Sequence, residues 1–232
     1  MSLYQTKYFF TSKKDGNLAF HVNDDPNRVI QNHKVLANKH NYQYERLIHM
    51  KQIHSDIVHL VQKEDNFENP PTCDALICDQ KNTPLMVMVA DCTPVLFFDD
   101  LKGVIGVAHA GRKGAFSNIV QKVLFHFQNT YGSSVESIKV KVGPSICQAC
   151  YEVGSEIDLQ AKNLGFEYAI MKKDKRFYFD VNAIILNQLK AYGILNEHID
   201  VINACSVCND KTYYSYRRDG QTGRFAGVIT LV

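Results

Sequence analysis

Three short stretches gather the side chains most able to carry chemistry. The first is Ala90-Asp91-Cys92-Thr93-Pro94, set between two apolar runs. A thiol can ligate a metal or act as a nucleophile, and the adjacent carboxylate can move a proton or orient a ligand. Pro94 has no amide hydrogen for a strand ladder and biases Thr93 toward extended backbone, so Asp91 and Cys92 are expected where a buried strand ends. The second is Ala108-His109-Ala110-Gly111-Arg112-Lys113-Gly114, an apolar strand ending in an imidazole, then small residues, two cations and a helix. Free amides at that helix start, with Arg112 and Lys113, suit an anion such as phosphate. The third is Ser215-Tyr216-Arg217-Arg218-Asp219-Gly220, a paired-arginine turn between strands. Plainer roles exist for each: a cysteine fills apolar space, a histidine at a strand end is structural, and paired arginines decorate a solvated turn. Spacing alone does not choose between them. Nor does it separate His54 from His49 and His59 in the same segment.

The elements that would position these residues are readable from periodicity. Strands are expected at Phe9–Thr11, Arg46–Met50, Asp56–Val61, Ala75–Cys78, Leu85–Ala90, Val95–Phe98 and Val104–His109. Three of these runs, Leu85–Ala90, Val95–Phe98 and Val104–His109, are nearly continuous in apolar residues, which implies burial on both faces. Asp25 and Pro26 cap and open a helix whose inner face carries Val29, His33, Leu36, Ala37 and His40. A second helix spans Gly114–Tyr131, a strand follows at Ile138–Val142, and a third helix covers Ser155–Asn163. A strand at Phe177–Phe179 leads into a helix from Asp180 to Gly193, where glycine suits a left-handed C-terminal position. Strands at Ile199–Ala204, Tyr213–Tyr216 and Phe225–Leu231 complete the chain. No linker or repeat interrupts residues 1–232, so one α+β domain with mixed sheets and packed helices is expected.

Composition restricts the function classes. Of 232 residues, 45% are hydrophobic and 22% charged, an ordinary globular balance, and the net charge of +2 is too small to imply a nucleic-acid partner. No apolar run reaches membrane-spanning length, and the first residues lack the apolar core of a signal peptide. A cytoplasmic monomer is the expected state. Seven cysteines make an odd count in a large chain, which argues against a secreted disulfide scaffold. Four of them form two pairs, Cys147-x-x-Cys150 and Cys205-x-x-Cys208. Together these could build a structural four-cysteine zinc site, but 54 residues lie between the pairs and buried free thiols are the expectation.

Phe10-Thr11, His21-Val22-Asn23-Asp24-Asp25-Pro26, Gln52-Ile53-His54, Asp74-Ala75-Leu76-Ile77 and Ala90-Asp91-Cys92-Thr93-Pro94-Val95-Leu96 follow one another in order. After them come Ala108-His109-Ala110-Gly111, Val142-Gly143-Pro144-Ser145-Ile146, Cys150-Tyr151-Glu152-Val153-Gly154, Ser215-Tyr216-Arg217-Arg218-Asp219 and Gly223-Arg224. In this combination the chain resembles the YfiH family over nearly its whole length. That laccase-domain family is also described as multicopper polyphenol oxidases, peptidoglycan editing factors and purine nucleoside phosphorylases. The resemblance implies an α+β fold, related in outline to toxins that use a cysteine–histidine pair for deamidation. It also implies a metal held by His54, Cys92 and His109, and it is this resemblance that selects His54. Two departures stand out. The family's A-G-W-R-G is Ala110-Gly111-Arg112-Lys113-Gly114 here, and its T-R-x-G-G is reduced to Thr11-Ser12-Lys13-Lys14-Asp15-Gly16, changes that bear on substrate preference more than on the metal.

Two imidazoles and a thiolate leave a fourth position open, the layout of catalytic zinc. The same donors can hold copper, with Met86 or Met88 as a weak axial sulfur, though strand core is the plainer role for both. A multicopper laccase needs several histidine-rich clusters, and none of the nine histidines forms an H-x-H pair, so zinc is expected. The resemblance implies phosphorolysis of adenosine, inosine and methylthioadenosine, and deamination of adenosine. Purine nucleoside and phosphate are then the partners. Arg112, Lys113, Arg217 and Arg218 are the candidate phosphate holders, and Cys92, His109 and Asp91 the candidate catalytic groups. Asp91 would shuttle a proton or orient a ligand histidine. Tyr151, Tyr213, Tyr214 and Tyr216 could stack on a purine, with half-buried strand positions as the plainer role. The rival readings are a copper polyphenol oxidase, a metal-free hydrolase with Cys92 as nucleophile and His109 as base, and a binding or editing factor for cell-wall precursors.

Overall fold

Alternating side chains, each buried on one of two opposite faces, explain why the central strands are apolar throughout. In the computed structural model, which describes residues 4–232, the first elements are β1 (Thr6–Phe10), α1 (Pro26–His40), β2 (Val58–Leu60), β3 (Ala75–Cys78), β4 (Leu85–Val89), β5 (Thr93–Asp99) and β6 (Val104–Ala110). Then come α2 (Arg112–Phe116), α3 (Ile119–Asn129), β7 (Lys139–Val142), β8 (Glu152–Val153), α4 (Ser155–Asn163), β9 (Ile170–Lys173), β10 (Arg176–Phe179), α5 (Val181–Tyr192), β11 (Ile199–Val201), α6 (Tyr216–Asp219) and β12 (Phe225–Leu231). Residues 1–3, the start of the segment read as lacking a signal-peptide core, lie outside the described residues.

A six-stranded mixed sheet ordered β11-β7-β5-β6-β3-β2 forms the centre. Its Ile77, Val95, Phe97 and Ala108 face Val120, Leu124, Ile184 and Leu189 of α3 and α5. Its Leu76, Leu96, Ile105 and Val107 face the other way, onto Leu85, Val87, Phe225 and Ile229 of a three-stranded sheet ordered β1-β12-β4. The outer face of that sheet, with Met86, Met88, Ala226 and Val228, is covered by Leu36 of α1 and by Leu18. Period-two alternation thus serves two cores from one strand. The fold is α+β with mixed sheets. A small separate sheet, β8-β10-β9, adds Phe179 to the core shared with α3 and α5.

Several boundaries follow from local chemistry. The Asp25 carboxylate accepts from the Asn27 amide, and Pro26 opens α1. Asp180 caps α5 and Gly193 closes it at φ 104°. The helix expected over Gly114–Tyr131 is two helices. Asn118 is left-handed at φ 60°, and the Gln188 side-chain amide donates to the Ala115 carbonyl and the Asn118 side chain, both at 2.7 Å. The chain therefore turns just after the site, and α2 begins at Arg112 with only five residues. Arg46–Met50 is no strand: within it only Ile48 makes a bridge, to Leu85, and the neighbouring Lys51 makes another, to Thr72. Tyr213–Tyr216 is no strand either, because the Ser215 hydroxyl accepts from the Arg218 amide and caps α6. No helix among the described residues is long and apolar enough to cross a membrane.

Candidate metal centre

Sheet register brings the first two candidate ligands, Cys92 and His109, together. Pro94, near the start of β5, pairs with His109, near the end of β6, and this sets Cys92 two residues from the partner of His109. On the other side of β6, Ala75 pairs with Ala108, so Asp74 lies beside His109. The His109 amide donates to the Asp74 carbonyl at 2.8 Å, and its ring Nδ1 lies 2.8 Å from Asp74 Oδ1. With Nδ1 committed to the carboxylate, Nε2 is left as the ligand nitrogen. Asp74 also holds the third group. Its carboxylate accepts from the amides of Ile53 at 3.2 Å, His54 at 3.0 Å and Ser55 at 2.6 Å. The Gln52 side chain pairs with the Met88 backbone in both directions, at 2.8 and 2.9 Å, tying this turn to β4. Between these two anchors His54 sits at φ 58°, a left-handed conformation sustained by the surrounding bonds.

The result is a compact donor set. One ligand atom from each of His54, Cys92 and His109 lies within 4.8 Å of the others, with Cys92 Sγ 3.9 Å from His54 Nε2. The two imidazoles meet edge to face with ring centres 4.7 Å apart. Zinc bonds of about 2.0–2.3 Å place tetrahedral donors in this range after modest side-chain rotation, and two nitrogens with a thiolate are an ordinary zinc set. The space has no tolerance for a methyl group at Gly111, whose added Cβ would stand 2.8 Å from Cys92 Sγ. Desolvation would raise the Cys92 thiol, but His109 and His54 outweigh it and bring it down to about 6. Burial would likewise lower His109, and the Cys92 thiolate and Asp74 instead raise it to about 9. Burial pushes the Asp74 carboxyl up, yet hydrogen bonds from His109 and Ser55 hold it down to about 2.

These groups open into a cavity of about 580 Å³. Arg112, Lys113 and Arg217 line it, as does Asp91. Arg217 donates to the Glu152 carbonyl at 2.8 Å and lies over the Tyr151 ring at 5.0 Å. Arg218 is not part of this wall. Its donors are taken by the carbonyls of Ser206, Val207 and Tyr213 and by Asp219, which makes it a staple of the loop behind the site. The expectation that Arg218 holds phosphate is corrected accordingly. Asp91 does not orient a ligand histidine; Asp74 does. The Asp91 carboxylate instead accepts from the Ser206 hydroxyl and the Arg217 amide, both at 2.6 Å, with its own backbone at φ 95°. Because α2 has only five residues, its dipole adds little to the positive charge that Arg112, Lys113 and Arg217 give this wall.

Residues not singled out from sequence complete the wall. Arg224 and His21 line the cavity, and partial burial together with Arg224 lowers the His21 pKa. Both belong to segments shared with the YfiH pattern, His21-Val22-Asn23 and Gly223-Arg224, which was the available signal. Tyr151 and Tyr216 reach the cavity, whereas Tyr213 and Tyr214 pack against the inner core, Tyr213 with its ring 4.9 Å from Phe225. None of the four is a strand residue. Met88 borders the cavity while Met86 is wholly core.

A family model described as multi-copper polyphenol oxidoreductase laccase matches residues 6–232. The chain belongs to this family. Within the laccase-like family, a purine nucleoside phosphorylase of Corynebacterium glutamicum is 35% identical over 219 residues, covering 93% of this chain and 86% of the relative. The purine nucleoside phosphorylase YlmD of Bacillus subtilis is 29% identical, covering 96% and 87%. Among solved structures, the YfiH protein of Bacillus licheniformis superposes with a TM-score of 0.92 at 28% identity, covering 97% of this chain and 92% of that one. YlmD of Geobacillus stearothermophilus gives 0.86 at 28% identity, covering 98% and 90%. The laccase description sits poorly with the donors of this member of the family. Among the described residues only two groups of three or more potential ligands converge, and the one containing histidine has two. That suffices for one ion and falls short of a multicopper cluster.

Proposed function

We propose that this protein is a zinc-dependent purine nucleoside phosphorylase, acting on adenosine and inosine and reaching methylthioadenosine, with adenosine deaminase activity at the same site. The observation that carries this reading is the convergence of His54, Cys92 and His109 on the floor of a cavity walled by Arg112, Lys113, Arg217 and Arg224. The names of the relatives support it. Held by the three ligands, zinc would supply Lewis acidity beside the purine. The cations draw phosphate to the ribose, Arg217 and Arg112 as planar forks and Lys113 as a point charge. In phosphorolysis a phosphate oxygen bonds to the ribose anomeric carbon as the bond to the purine nitrogen breaks. The leaving nitrogen takes a proton, and His21 and Asp91 are the wall groups able to pass one. Tyr151 and Tyr216 offer flat surfaces to the base. In deamination water adds to the purine ring and ammonia leaves. Asp91, steadied by Ser206 and Arg217, is the proton carrier for that step.

The test is hypoxanthine release from inosine. Release that requires phosphate, with ribose 1-phosphate as co-product, is the expected result. Release at equal rate without phosphate would contradict phosphorolysis.

One geometry favours a second reading. Cys92, His109 and Asp74 form a nucleophile, base and orienting-carboxylate sequence, and the depressed Cys92 pKa fits a metal-free hydrolase. Alkylation of Cys92 by iodoacetamide that substrate blocks, in an enzyme indifferent to chelators, would favour it. Oxygen-dependent phenol turnover by copper-loaded protein would favour the polyphenol oxidase. Tight muropeptide binding without nucleoside turnover would favour an editing factor.

A further inference from the structure

The 54-residue gap between the two cysteine pairs is closed by strand pairing. Strands β7 and β11 run parallel as neighbours, so the chains leaving them emerge side by side at one end of the central sheet. Beyond the strands, Ser145 bridges to Cys205, the Ser145 amide donates to the Ala204 carbonyl at 3.2 Å and the Ser206 amide donates to the Ser145 carbonyl at 3.0 Å. Cys147-x-x-Cys150 then closes a turn on one chain and Cys205-x-x-Cys208 a turn on the other. All four sulfurs lie within 4.8 Å of one another, with Cys150 and Cys208 at 3.5 Å.

The sequence led to an expectation of buried free thiols, and these four differ from it in burial. Cys208 is exposed and the other three are half-buried, so packing does not account for the cluster. Four zinc–sulfur bonds of about 2.3 Å set tetrahedral sulfurs roughly 3.8 Å apart, which is the spacing class seen here. The amides of Cys147 and Cys208 donate to Cys205 Sγ at 3.3 and 3.5 Å, the kind of support that steadies a metal-bound thiolate. We infer that Cys147, Cys150, Cys205 and Cys208 form a second, structural zinc site, separate from the His54–Cys92–His109 centre. The ion would fasten the loop whose Ser206 hydroxyl binds Asp91 and whose carbonyls Arg218 grips. A closed set of four thiolates leaves no position for substrate, so its role is to hold this wall of the cavity in place.

Metal content of protein purified under reducing conditions without chelator tests the inference. Cys92→Ala removes a ligand of the catalytic centre only, so this variant should retain one zinc per chain, and after cobalt exchange should show intense sulfur-to-cobalt charge-transfer absorption with four-thiolate tetrahedral bands. Cys150→Ser with Cys208→Ser should lose one equivalent relative to the unaltered chain. If that double variant does not fold, the Cys92→Ala measurement still decides. A Cys92→Ala protein that is folded, binds no zinc and gives no such cobalt spectrum overturns the inference. So does a Cys150–Cys208 or Cys147–Cys205 disulfide in anaerobically purified chain.

Discussion

Asp74 does more for the centre than its place in the sequence suggests. One carboxylate fixes the His109 tautomer and collects the backbone amides that hold His54 in a left-handed turn. Asp74→Asn preserves size but cannot accept all of those bonds. Zinc affinity, measured by chelator competition, should fall on the order of 10- to 100-fold. Unchanged affinity would mean that the carboxylate supports the fold alone. Cys92 and His109 stand out as candidates in the sequence because each lies where a long apolar run stops. His54 was not, because nothing local distinguishes it from His49 and His59. Those two are elsewhere: the His49 ring is buried against the Phe67 carbonyl at 3.0 Å, and His59 pairs with Asp65 at 2.6 Å. The resemblance alone selected His54, and in the structure its amide contacts Asp74, twenty residues on, a long-range pairing that no local pattern shows. Arg218 was misjudged because a guanidinium's partners are set by the loop that folds over it.

The elements were readable where hydrophobic period and cap chemistry agree. α1 and α5 begin at the aspartates expected to cap them, and β12 spans the expected residues. Failures occur where side chains redirect the backbone. Ser215 turns a presumed strand into α6, and Gln188, from a distant helix, secures the break between α2 and α3. The break ends α2 at Phe116, so that this helix spans only five residues from Arg112. Gln188→Leu leaves the Asn118 side chain and Ala115 carbonyl short of a buried donor, and should cost about 1–3 kcal/mol in urea unfolding. Zinc stoichiometry should stay the same, since no ligand lies on either helix. A stability change within error would show that Asn118 holds the break unaided.

For the whole molecule, two packed sheets with helices outside place the three candidate ligands, the cavity cations and Asp74 at one end of β3, β5 and β6. The α+β class and the mixed sheet were expected from the chain; the sharing of two cores by single strands was implicit in their continuous apolar runs. The two cysteine pairs were visible in the sequence, but their convergence depends on β7 and β11 being parallel neighbours, which no local pattern announces. The central claim is that the His54–Cys92–His109 ion drives phosphorolysis in the adjoining cavity. The direct measurement strips metal with a chelator, then follows phosphate-dependent hypoxanthine formation from inosine while zinc is returned, in the unaltered chain and in Cys92→Ala. Activity should vanish on stripping, return with zinc in the unaltered chain, and be absent from Cys92→Ala at every zinc level. Full activity in the stripped protein, or in Cys92→Ala, would contradict that claim.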